Sequence, residues 1–86
     1  MKVVGIIQKK GEYQGREYNN LMIHCIVSDR RAVGELTEVL KVRMSAVDEI
    51  FGKRMSDQDF DNLVGKEIRA SYNRYGNVEF IDILDD

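Results

Sequence analysis

The chain has 86 residues, enough for one domain and too few to divide between two hydrophobic cores. With 43% hydrophobic and 33% charged residues it has the composition of a folded globular chain, and its single cysteine, Cys25, excludes an internal disulfide framework. The net charge of −2 argues against general affinity for polyanions, yet that charge is unevenly spread: residues 1–54 carry ten Lys/Arg against seven Asp/Glu, and residues 55–86 carry three against eight. No stretch has the basic and apolar regions of a leader or the length of a membrane span, so a cytoplasmic protein with no membrane partner is expected. A domain this small buries a limited share of its surface, which makes self-association an expectation as well.

Lys2 to about Lys9 is rich in β-branched residues and predicts a first strand, which Gly11 ends. The polar run Lys9-Lys10-Gly11-Glu12-Tyr13-Gln14-Gly15 reads as a hairpin loop with two glycines free to take unusual backbone angles. A long second strand follows from Arg16 to about Ser28. Leu21, Ile23, Cys25 and Val27 alternate onto one face, and Arg16, Tyr18, Asn20, Met22, His24 and Ile26 onto the other. Ser28-Asp29-Arg30-Arg31 predicts a turn. A third strand runs from about Thr37 to Ser45, with Leu40, Val42 and Met44 on one side and Val39, Lys41 and Arg43 on the other.

Ala46 to Phe51 predicts a short helix stopped by Gly52. Ser56 is the expected N-cap of a second helical piece whose first turn is acidic, with Phe60, Leu63 and Val64 as its apolar stripe and Gly65 as its terminator. A closing hairpin runs from Lys66 to about Asn73, through a turn at Arg74-Tyr75-Gly76-Asn77, and from Val78 to Leu84; Asp85 and Asp86 are expected to end the chain in water. The order is β-β-β-α-β-β in a single domain spanning 1–86. It predicts an all-β, five-stranded OB-fold barrel with a short helical segment between strands three and four. A flat sheet packed by the helix is the competing arrangement of the same elements.

Gly15-Arg16-Glu17-Tyr18-Asn19, with Leu21, Cys25 and Asp29 following, then Val39-Leu40-Lys41-Val42-Arg43 and Tyr72-Asn73-Arg74-Tyr75-Gly76 with Ile81-Asp82, form a spaced pattern. It resembles that of the small OB-fold helix-destabilising proteins of filamentous phages and related mobile-element proteins. The resemblance implies a barrel that binds single-stranded DNA and acts as a homodimer. It implies a stacking role for Tyr18, a strand-borne cation at Arg43 and an aromatic contact at Tyr75. It also puts Ile26 where the family has an aromatic residue, and the last strand lacks the family's arginines.

The residues themselves give the same chemistry. Sequence-tolerant single-strand binding needs a basic track for phosphates and aromatic faces for bases, each stacked base being worth ~1–3 kcal/mol. Arg16, Tyr18 and His24 share the outer face of strand two, and Lys41 and Arg43 that of strand three. Arg69 joins them on strand four if Ile68, Ala70 and Tyr72 point inward. Tyr13 and Tyr75 stand at the hairpin tips, with Lys10 and Arg74 in the same loops. The competing reading is structural: hairpin tyrosines pack across strands, and outward Lys/Arg keep a sheet soluble. Tyr72 is assigned to the core with its hydroxyl at the rim.

Three other chemistries fail on spacing. Asp57-x-Asp59-x-Asp61 echoes a calcium loop, but Asn62 replaces its glycine and Ile68 its last glutamate. His24 and Cys25 are neighbours on a strand and point to opposite faces, which denies them a shared metal. The single histidine has no catalytic partners, so neither an enzyme nor a cofactor is expected. The expectation is therefore a single-stranded DNA-binding protein of a phage or mobile element, coating or protecting single strands in replication or DNA transfer. RNA is an equally readable ligand. The alternative is an OB-fold protein-interaction module serving a replication or transfer complex.

Overall fold

The computed structural model describes residues 1–84; the expectation for Asp85 and Asp86 lies outside the described residues. Five strands form, β1 (Lys2–Tyr13), β2 (Arg16–Val27), β3 (Leu36–Arg43), β4 (Glu67–Tyr72) and β5 (Val78–Leu84), and they make one antiparallel sheet in the order β3-β2-β1-β4-β5. A 3₁₀ turn (Met44–Ala46) and two short helices, α1 (Val47–Phe51) and α2 (Asp57–Leu63), connect β3 to β4.

Side-chain alternation builds the core as the sequence predicts. Leu21, Ile23 and Cys25 of β2 and Leu40 and Val42 of β3 are buried, and Ile68, Ile81, Val47, Phe51 and Leu63 close over them. Lys2 lies opposite Glu67, and backbone bonds from Val3 N–H to the Lys66 carbonyl (3.0 Å) and from Ile68 N–H to the Met1 carbonyl (2.8 Å) hold that corner. The sheet is thus a three-stranded and a two-stranded ladder joined at one end of β1. Among the described residues β3 and β5 approach within 8 Å at their Cα atoms but do not pair, so hydrogen bonds do not close the sheet. Tyr72 of β4 donates from its hydroxyl to Glu38 Oε1 of β3 at 2.9 Å.

The first hairpin departs from expectation. The polar run from Lys9 is not a loop: β1 continues to Tyr13, which lies opposite Arg16, and the connection is only Gln14-Gly15. Both turn residues have positive φ (51° and 77°), as a two-residue hairpin turn that matches strand twist requires. β3 ends opposite Asn20, at Arg43, so the β1–β2 ribbon projects beyond the core and needs no apolar face there. A bulge between Val3 and Gly5 makes Val4 the extra residue; Val3 and Ile6 both face the core, and Ile7 and Lys9 face outward.

The helical connection follows its local signals. Gly52 caps α1 in the left-handed conformation (φ 71°). Ser56 and Asp59 form a reciprocal capping box. The Ser56 N–H and then its hydroxyl hydrogen-bond the Asp59 carboxylate and hold its pKa below the usual value. Phe51 meets Phe60 edge-on at 6.4 Å, fastening α1 to α2. Val64 is not part of the apolar stripe: it leaves the helix in extended conformation and is about half exposed.

Candidate nucleic-acid interface

The register fixes which side chains share the outer face of β1, β2 and β3. Tyr13 lies opposite Arg16, Gly11 opposite Tyr18, Lys9 opposite Asn20 and Arg43, and Ile7 opposite Met22 and Lys41. The next outward row is Gly5, His24 and Val39. This face therefore carries Lys2, Lys9, Arg16, Lys41 and Arg43, and among the described residues no Asp or Glu. The glutamates of these strands, Glu12, Glu17 and Glu38, all fall on the opposite parity. A summed field of one sign on an open face concentrates a polyanion even when the whole molecule is weakly acidic.

Where β3 stops, the free edge of the ribbon and the end of β3 border an open groove of about 1040 Å³. Lys10, Arg16, Tyr18, Lys41 and Arg43 line it, together with Gly11, Asn19 and Asn20. Glu12 and Glu17, directly opposite each other on the ribbon, line it as well. The Tyr18 ring lies across Gly11 and is 43% exposed, so it is neither buried nor detached from the sheet. Lys41 and Arg43 are two residues apart on one strand and so aim at the same surface ~7 Å apart.

A second cleft shares Lys41 and Arg43 and reaches the β4–β5 loop at Asn77 and Val78. That loop is preformed: Asn73 Oδ1 accepts from the backbone N–H of Tyr75 (2.9 Å) and of Asn77 (3.1 Å). Asn73 thus shapes the turn. The Arg74 guanidinium sits 5.0 Å from the centre of the Tyr75 ring, and that ring is 73% exposed.

Five of the ten residues expected from the sequence therefore share one groove: Lys10, Arg16, Tyr18, Lys41 and Arg43. Tyr13 is at the ribbon tip beside Arg16, and Arg74 and Tyr75 occupy the neighbouring loop. His24 is on the same face but six residues from Tyr18, ~20 Å along the strand. Arg69 does not extend the basic track, because β1 stands between β2 and β4 and Asp82 lies directly opposite Arg69. Tyr72 is not a core residue. It is about half exposed after a bulge at Ser71, and burial first, then the bond to Glu38, raises its phenol pKa. Lys9 and Gly11 escaped the sequence reading, which placed them in a loop without parity; the signal that would have found them is the two-residue Gln14-Gly15 turn.

Cys25 faces the core, away from His24, and burial raises its thiol pKa. Among the described residues no helix is long and apolar enough to cross a membrane. The chain matches no protein-family model, no curated protein and no solved structure.

Proposed function

We propose that the protein is an OB-type domain that binds single-stranded nucleic acid along the outer face of β1–β3, as a sequence-tolerant DNA-binding protein of a phage or mobile element. The observation that carries this reading is the sorting of charge by strand parity: Lys2, Lys9, Arg16, Lys41, Arg43 and Tyr18 on one open face, and the glutamates of the same strands, with Lys10, on the other. Bases stack on the tyrosine while the cations neutralise phosphates. The strand order supports the barrel, since its two edge strands, β3 and β5, approach each other and Tyr72 of β4 reaches Glu38 of β3. The partners that follow are single-stranded DNA, with RNA as a second substrate of the same chemistry, and a second copy of the chain.

A protein-interaction role is the second reading. Ile7 and Val39, each about half exposed, adjoin Met22 and His24 on this same face and offer an apolar contact. Titrating labelled oligo(dT) and oligo(U) with the protein at low salt, followed by fluorescence anisotropy, separates the two. Saturable binding supports the first reading, and folded protein that leaves the anisotropy of both oligomers unchanged overturns it.

A further inference from the structure

We infer that Gly11 is a positioning residue for the base-stacking surface, because the absence of a side chain there lets the Tyr18 ring lie flat on the ribbon with its outer side open to a base. The inference rests on the proposed single-strand binding.

Gly11 lies directly opposite Tyr18. A Cβ built at Gly11 meets Tyr18 Oη at 2.6 Å, Cζ at 2.9 Å and Cε1 at 3.3 Å, so the far half of the ring occupies the space a side chain would take. Nothing else is within 4 Å closer than these atoms, and Gly11 is outside the positive-φ region, so its backbone suits an alanine. The clash is therefore with the movable end of the tyrosine and not with the fold. Adding a methyl group tips the ring off the sheet while the ribbon keeps its pairing.

The seat also explains the ring's partial exposure. One side covers the β1 backbone and the other is left to solvent beside Arg16, Lys41 and Arg43, which line the same groove. A ring held against the sheet loses less freedom when a base stacks on it than one that must first be ordered. Gly5 provides the internal contrast. It also faces outward on β1, opposite His24, but a Cβ there meets nothing within 4 Å.

The test compares wild type, Gly11→Ala, Tyr18→Ala, the double variant and Gly5→Ala by oligo(dT) anisotropy, thermal melting and proton NMR. In the wild type the Gly11 Hα resonance lies upfield of its position in Tyr18→Ala, through the ring current. Gly11→Ala is expected to melt no lower than wild type and to lose affinity as Tyr18→Ala does, by ~5- to 150-fold, the scale of one stacked base. The double variant is expected to lose no more than either single variant, and Gly5→Ala to bind as wild type. Wild-type affinity in Gly11→Ala, or losses that multiply in the double variant, overturn the inference while leaving single-strand binding standing. A wild type that binds no oligonucleotide overturns both, even with the upfield Gly11 resonance in place. If Gly11→Ala frays the ribbon, the Gly11 Hα shift is followed in wild type on adding oligo(dT): movement at saturation supports the seat as part of the site, and an unmoved resonance overturns it.

Discussion

Replacing Lys41 and Arg43 together by glutamine bears most directly on how the outer face works. Four basic side chains, Lys10, Arg16, Lys41 and Arg43, line the groove. For single strands, each phosphate neutralised steepens the fall of log affinity with log salt by about 0.7. If all four engage, the slope is ~−2.8, and affinity for oligo(dT) drops ~50-fold between about 50 and 200 mM salt. The double variant keeps two of them, so its slope is ~−1.4 and the drop over the same range is ~7-fold. The two lines converge toward about 1 M salt, where the stacking contribution is what remains. Both side chains are exposed on a strand whose opposite face makes the core, so the fold survives the exchange. Anisotropy titrations at five or so salt concentrations measure the slopes. Weaker binding along a parallel line refutes phosphate neutralisation by this pair, and an unchanged line places the phosphate track elsewhere.

Glu17→Gln removes one of two glutamates that face each other in the groove, and is expected to raise oligo(dT) affinity by ~2–5-fold at low salt, the scale of one charge acting through water; lower affinity would mean that Glu17 contacts the ligand. Ile23 is fully buried in the middle of β2, so Ile23→Ala is expected to cost ~2–5 kcal/mol in urea unfolding, and a loss well under 1 kcal/mol would contradict its place in the core. Tyr72 gives an alkaline signature. Its phenol pKa is raised above 10.0, by burial and then by the bond to Glu38. Its contribution to stability is therefore complete below pH 10 and is lost as pH rises through the raised value. Unfolding curves above pH 10 should accordingly fall less steeply for Tyr72→Phe than for wild type, and identical curves refute the linkage.

In β2 and β3 the need to bury one face was sufficient for the sequence to show it. Leu21, Ile23 and Cys25 alternate because they must, and β5 begins and ends where its apolar pattern does. The glycine after α1 and the serine before α2 act through local backbone chemistry, so they too are visible without tertiary context. The ribbon was not legible, because Lys9 to Tyr13 pair with β2 beyond the core and neither face needs to be apolar. The bulge at Val4 hid the parity as well. Simple alternation from Val3 sends Ile7 and Lys9 inward, and only the extra residue turns them to the basic face. Arg69 was misplaced for a different reason: its outward direction is local, but its neighbours depend on β1 lying between β2 and β4, a long-range fact of strand order.

The same parity answers how a chain of net charge −2 can present a surface to a polyanion. Arg31 makes an ion pair with Asp29 at 2.9 Å within its own turn, and Lys53 lies 4.0 Å from Asp59, so those cations are answered where they stand. Of the cations on the outer face of β1–β3, Lys2 lies opposite Glu67 of β4, whereas Lys9, Arg16, Lys41 and Arg43 share their cross-strand rows with no Asp or Glu. Asp57, Asp59 and Asp61 stand on α2, and Asp82 on the outward side of β4–β5 opposite Arg69. On the proposed reading, the total charge matters less than the local charge of the rows that border Tyr18, where Glu12 and Glu17 are the acids a strand must pass.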